Sequence, residues 1–288
     1  MTGFVFSGMR RRSVRVAGLC GLFCLLLFCA GVPAAPGRDG AAIASAHPLA
    51  TDAGYRILRE GGNAFDAAVA VGAALAVVEP YSSGLGGGGF WLLHRAADKH
   101  EVMIDARETA PAAATAAMYL GADGKPLAGA THNGGRAAAI PGVPAGLVHL
   151  AEKYGRLPLA RTLAPAIALA RDGFALDPRF AKLAEMRERF LRAGSGAQVF
   201  LDNGKAPQPG YRLRQPELAD TLELIAAQGR DGFYRGRIAA ALVAGANATG
   251  GVWSMKDLTD YKVIERAPVR FAYRGATITT AALPSGGG

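Results

Sequence analysis

The chain has 288 residues, half of them hydrophobic and 19% charged, with 39 glycines. That is enough chain for one large domain or two ordinary ones, and it excludes a disordered or fibrous polypeptide. The formal charge of +9 falls to +5 once the arginines Arg10, Arg11, Arg12 and Arg15 of an N-terminal leader are set aside. The remaining cations are scattered without interleaved aromatics, which excludes a nucleic-acid partner.

Residues 1–35 read as a secretory signal peptide. The four arginines make its positive start, residues 16–31 are apolar and uncharged, and Val32-Pro33-Ala34 offers small residues for cleavage near Ala34. Met9 is an alternative start. An uncleaved anchor is the competing reading, but the apolar run is short for a span that needs about 20 residues. The leader predicts a periplasmic or secreted protein. Cys20, Cys24 and Cys29 all lie within it. Residues 36–288 are therefore expected to hold no disulfide, cysteine nucleophile or thiolate metal site.

Small residues at 41–46 suggest a first strand. Residues 48–60 follow as a helix that Gly61-Gly62 ends. Asn63 caps a second helix through Val78, rich in alanine and valine, with Asp66 in its first turn. After Glu79-Pro80 and a glycine cluster, residues 90–94 and 101–105 form a hairpin around Ala97-Asp98-Lys99. Residues 112–136 cross the surface. The middle is helical, with helices expected at 141–154, 158–171, 178–192, 216–228 and 237–246, several opened by proline. Ser254 and Asp257 form a capping box, and residues 262–273 and 276–282 close the chain as two strands around Arg274-Gly275.

Few residues carry chemistry. Gly84 to Gly89 satisfies G-x-G-x-x-G, yet it follows a helix and leads into a strand, the reverse of a dinucleotide fingerprint. It reads instead as a place where backbones approach closely, beside a cleft. His47, His94, His100, His132 and His149 show no metal-ligand spacing, and no G-x-S-x-G elbow is present. Glu185 and Glu188, among Arg187 and Arg189, mark a solvated helix face. The Asn247-Ala248-Thr249 sequon is taken as incidental. Arg107, just past the second hairpin strand, remains. Beside Asp105 and Glu108 it reads either as a strand-end ion pair or as a guanidinium that grips a carboxylate through two parallel bonds.

Several phrases occur together and in order: REGGNAFDAA (59–68), SSGLGGGGFW (82–91), IDARETAP (104–111), KYGRLPL (153–159), LARDGF (169–174), DGFYRG (231–236), DLTDYKVIERAPV (257–269) and PSGGG (284–288). Over residues 41–288 the chain resembles the γ-glutamyltransferase (glutathione hydrolase) family. The resemblance implies a mixed α/β fold, the αββα sandwich of the N-terminal nucleophile hydrolases, here incomplete and with a helical middle region. It implies a proenzyme that cuts itself into two subunits. The new N-terminal threonine then takes a γ-glutamyl group from glutathione or other γ-glutamyl compounds and passes it to water, an amino acid or a dipeptide. Residues 36–288 correspond to part of the large subunit, with the small subunit of the same precursor as the missing partner. No cofactor or metal is implied. By this likeness Arg107 is the substrate-binding residue that holds the glutamyl α-carboxylate, while the nucleophile and oxyanion hole lie beyond Gly288. The chain alone is therefore expected to be inactive and truncated. Two alternatives remain: a related acylase of the glutaryl-cephalosporin type, and a non-catalytic secreted binding fragment.

Overall fold

Helix starts in this chain are set by cap residues and prolines. The computed structural model describes residues 40–286, and its elements all lie in a compact unit that begins at Ile43. The leader, its cleavage point and its cysteines fall outside the described residues. Helix α1 (Pro48–Arg59) opens on His47, whose Nδ1 accepts the Leu49 N–H at 3.2 Å. Helix α2 (Ala64–Val78) opens on the expected Asn63, in a reciprocal capping box with Asp66.

Asp66 does more than cap. Its fully buried carboxylate accepts N–H groups from Asn63 at 2.8 Å, Arg156 at 3.0 Å and Leu157 at 3.3 Å. The turn after α3 (Val143–Tyr154) is thereby tied to the start of α2. Small side chains let α2 lie close to its neighbours on several sides. A Cβ on Gly54 of α1 would stand 2.7 Å from both Ile43 Cδ1 and Val71 Cγ2. Helix α2 packs on α1, α3 and α4 (Leu159–Asp172).

The hairpin forms as the pattern predicts, with β1 (Gly89–Arg95) antiparallel to β2 (His100–Ala106). Strand β2 is the middle of a three-stranded sheet, because β5 (Ile264–Arg266) joins its other edge with Asp105 opposite Ile264. Helix α3 covers the sheet, and Gly146 lets it come close. A Cβ there would lie 2.7 Å from Trp91 Cη2 and 2.9 Å from the Ala106 methyl.

The longer helices of the middle follow their expected bounds, and the short helices Gly196–Phe200 and Asp231–Tyr234 are additions the sequence pattern did not predict. After the short strand β3 (Phe174–Ala175) comes α5 (Pro178–Arg192), which buries only Phe180 and Ala184 and leaves Met186 exposed. Glu185 lies on its solvated side as expected, whereas Glu188 is half-buried, pairing with Arg192 and accepting the Ala206 N–H at 2.9 Å. Then come α6 (Gly196–Phe200), β4 (Arg212–Leu213), α7 (Pro216–Gln228), α8 (Asp231–Tyr234), α9 (Gly236–Ala248) and α10 (Met255–Asp260). Ser254 and Asp257 form their capping box at the start of α10.

Two strand expectations need correction. Residues 41–46 form no strand: the Ile43 N–H donates to the Tyr55 hydroxyl at 3.2 Å and the Ser45 hydroxyl meets Thr51, so side chains of α1 take the place of a ladder. The run 262–273 divides at Ala267-Pro268. Strand β5 stays on β2, whereas β6 (Val269–Tyr273) pairs with β7 (Ala276–Thr280) in a separate ribbon. Proline has no N–H to continue a ladder, and the chain changes partners there.

Candidate active site

Where α2 ends and the hairpin begins, the glycine cluster borders a cleft of about 730 Å³. Its walls include Tyr81, the glycines 84 and 86–89, Trp91 and the pair Arg107–Glu108. The glycines are needed for proximity. A Cβ on Gly88 would stand 2.5 Å from the Glu108 nitrogen and 2.8 Å from the Ala106 carbonyl. The Gly87 carbonyl accepts the N–H groups of Gly142 at 2.8 Å and Val143 at 3.0 Å. The loop is therefore pinned to the first turn of α3, whose leading N–H groups it satisfies.

Arg107 is the first residue past β2 and stands at the lip of this cleft, its side chain 60% exposed. The local expectation of an ion pair with Asp105 or Glu108 resolves in favour of Glu108: Arg107 Nε lies 3.3 Å from Glu108 Oε2. That oxygen is buried and accepts no hydrogen bond among the described residues. Asp105 is engaged elsewhere, accepting Arg266 Nε at 2.7 Å from β5. The Arg107 side chain donates no hydrogen bond among the described residues, so its guanidinium can receive a carboxylate entering from the cleft.

The other singled-out residues have structural posts. His47 caps α1, His94 lies beside Glu101, His100 stacks over Tyr154, His132 meets Thr131 and His149 meets Glu265. Among the described residues no group of three His, Cys, Asp or Glu could hold a metal ion. The Asn247 side chain bonds both the N–H and the carbonyl of Trp253, which gives the sequon asparagine a packing role that its sequence context did not signal. The Asp105–Arg266 pair, spanning 161 residues, was equally invisible in the sequence.

The described residues form a mixed α/β arrangement, a helical layer over a three-stranded sheet with a glycine-lined cleft at one end of its hairpin. The solved γ-glutamyltranspeptidase of Helicobacter pylori superposes with a TM-score of 0.83 at 39% identity, over 88% of this chain and 72% of that one. The fold is thus that of the N-terminal nucleophile hydrolases, as expected. The chain belongs to the gamma-glutamyltranspeptidase family, whose model matches residues 50–288. It is 44% identical over 255 residues to a glutathione hydrolase proenzyme of Pseudomonas sp. (strain A14), covering 88% of this chain and 44% of that protein. It is also 41% identical over 250 residues to the Acylase ACY 1 proenzyme of Pseudomonas sp. (strain SE83), covering 84% of this chain and 44% of that protein. The chain therefore spans less than half the length of these curated relatives.

Proposed function

We propose that this chain is the carboxylate-binding part of a γ-glutamyltransferase or glutathione hydrolase proenzyme. The whole protein takes a γ-glutamyl group from glutathione-like amides onto the threonine that self-cleavage exposes, then passes it to water, an amino acid or a dipeptide. Arg107 holds the α-carboxylate of the donor, and the small-subunit portion of the precursor supplies the nucleophile. Residues 1–35 direct export to the periplasm or medium.

The observation that carries the reading is the placement of Arg107 on the cleft wall, beside glycines that admit close approach. A cation at the mouth of a cavity, paired with one carboxylate at 3.3 Å, can accept a second through its outer nitrogens. The test uses the processed full-length enzyme. Arg107→Ala should lower kcat/KM for γ-glutamyl-p-nitroanilide by about 2 kcal/mol or more, roughly 30-fold. It should leave 4-aminobutyryl-p-nitroanilide, which lacks only the carboxylate, nearly unaffected. Equal losses on both donors would remove Arg107 from the site. Export is tested by fractionating cells that express the full-length protein; retention of unprocessed precursor in the cytoplasm refutes it.

The similarity to Acylase ACY 1 supports a second reading, an acylase, for which we take glutaryl as the acyl group. Glutaryl and γ-glutamyl groups share the distal carboxylate and differ in the α-amine, so Arg107 would serve both. Relative turnover of glutaryl and γ-glutamyl anilides separates the two activities.

A further inference from the structure

The peptide of Arg107 is held at both ends by groups outside the cleft. Its N–H donates to Asp105 Oδ1 at 3.0 Å, and its carbonyl accepts the hydroxyl of Tyr261 at 2.8 Å from 154 residues along the chain. Both holders are themselves fixed. Asp105 is buried and its second oxygen accepts Arg266 Nε. Tyr261 is buried, and its ring stacks on Tyr234 with centroids 5.6 Å apart and planes 7° from parallel. The Tyr234 hydroxyl donates at 2.8 Å to the Pro141 carbonyl, just before the Gly142 and Val143 N–H groups that bind Gly87. The two stacked phenols thus brace two separate segments of the cleft, the Arg107 lip and the approach to the glycine loop.

Burial raises the Tyr261 phenol above its ordinary range, and the nearby carboxylates of Asp105 and Glu108 raise it further. It therefore remains a protonated donor throughout the working range of an enzyme.

We propose that Tyr261, together with Asp105, is a positioning residue that fixes the Arg107 peptide and so aims the guanidinium at the donor carboxylate. The proposal rests on the γ-glutamyl reading of the cleft. An arginine side chain has four flexible torsions beyond its backbone, and its reach is reproducible only if the peptide from which it leaves is itself held. A buried phenol bonded to some carbonyl is ordinary packing. Here the carbonyl is that of Arg107, the only cation lining the cleft among the described residues, and both its N–H and its carbonyl are restrained.

The experiment uses the processed full-length enzyme and Tyr261→Phe, which keeps the ring and its stacking and removes only the hydroxyl. KM for γ-glutamyl-p-nitroanilide should rise about 5- to 15-fold with kcat changed less than about twofold, as loss of one neutral hydrogen bond and a small misplacement imply. KM for 4-aminobutyryl-p-nitroanilide should stay within about twofold, since that donor offers the arginine nothing. Tyr234→Phe removes a comparable buried hydroxyl bond and should affect both donors alike. Asp105→Asn, which weakens the other restraint, should repeat the donor-selective rise and supplies the answer if Tyr261→Phe does not fold. A folded Y261F, or a folded D105N in its place, that treats the two donors equally overturns the proposal. Arg107→Ala is run beside them. If it also fails to discriminate, the γ-glutamyl reading itself falls; if it discriminates while Y261F does not, only the positioning role is lost.

Discussion

Glu265 offers a test of what holds α3 to the sheet. From β5 its carboxylate accepts His149 Nε2 at 2.8 Å, Lys153 Nζ at 2.6 Å and the Tyr154 hydroxyl at 2.7 Å, all from the last two turns of α3. Burial by itself would raise this carboxyl, but the bonds from Lys153, Tyr154 and His149 outweigh it and hold Glu265 down at about 2, against an ordinary 4.5. Each tenfold change in proton affinity is worth about 1.4 kcal/mol, so the gap sets a ceiling of about 3.4 kcal/mol on what the charged form contributes. The side chain is 28% exposed, and solvent screening reduces the expected contribution to about 1–2 kcal/mol. Because the folded value is depressed, this stability is present above about pH 4.5 and is lost as pH falls towards about 2. Glu265→Gln imitates the protonated acid. Urea unfolding followed by tryptophan fluorescence should show the variant less stable by about 1–2 kcal/mol at pH 7, with the difference closing between pH 4.5 and 2. A deficit that stays constant across that window would mean the lost stability came from packing rather than charge, and would refute the reasoning.

Two further substitutions probe the frame around the cleft. Gly146→Ala gains helix propensity of about 1 kcal/mol but places a methyl 2.7 Å from Trp91 Cη2 at a buried contact, where overpacking costs about 1–3 kcal/mol. Net destabilisation with a shifted tryptophan emission is expected, and a more stable variant would contradict the close packing of α3 on β1. Asp66→Ala strips a buried acceptor from the N–H groups of Asn63, Arg156 and Leu157, with an expected cost of about 3 kcal/mol. Amide hydrogen exchange at Arg156 and Leu157 should accelerate with it; unchanged protection there would show that the tie between α2 and α3 is held by other contacts.

Much of this protein was legible from local patterns. The bounds of α5 and α7, the caps at Asn63 and Ser254 and the turn of the hairpin around Asp98 all follow from interactions between residues close along the chain, which a sequence displays directly. The ordered phrases pointed to the family, and the glycine cluster with Arg107 pointed to the cleft. What they could not supply was the partner of each isolated polar residue. Glu265 finds α3 across more than a hundred residues, Arg266 finds Asp105 and Tyr261 finds Arg107. One acid, one arginine or one phenol carries no periodicity, so nothing in the linear order marks it as paired. Even the exchange of partners at Pro268 is written locally only as a missing N–H; which strand each side joins is decided by the sheet already in place. The elements were thus determined by neighbours along the chain. The frame around Arg107 was decided by contacts that exist only once those elements have packed and excluded water from the polar groups between them.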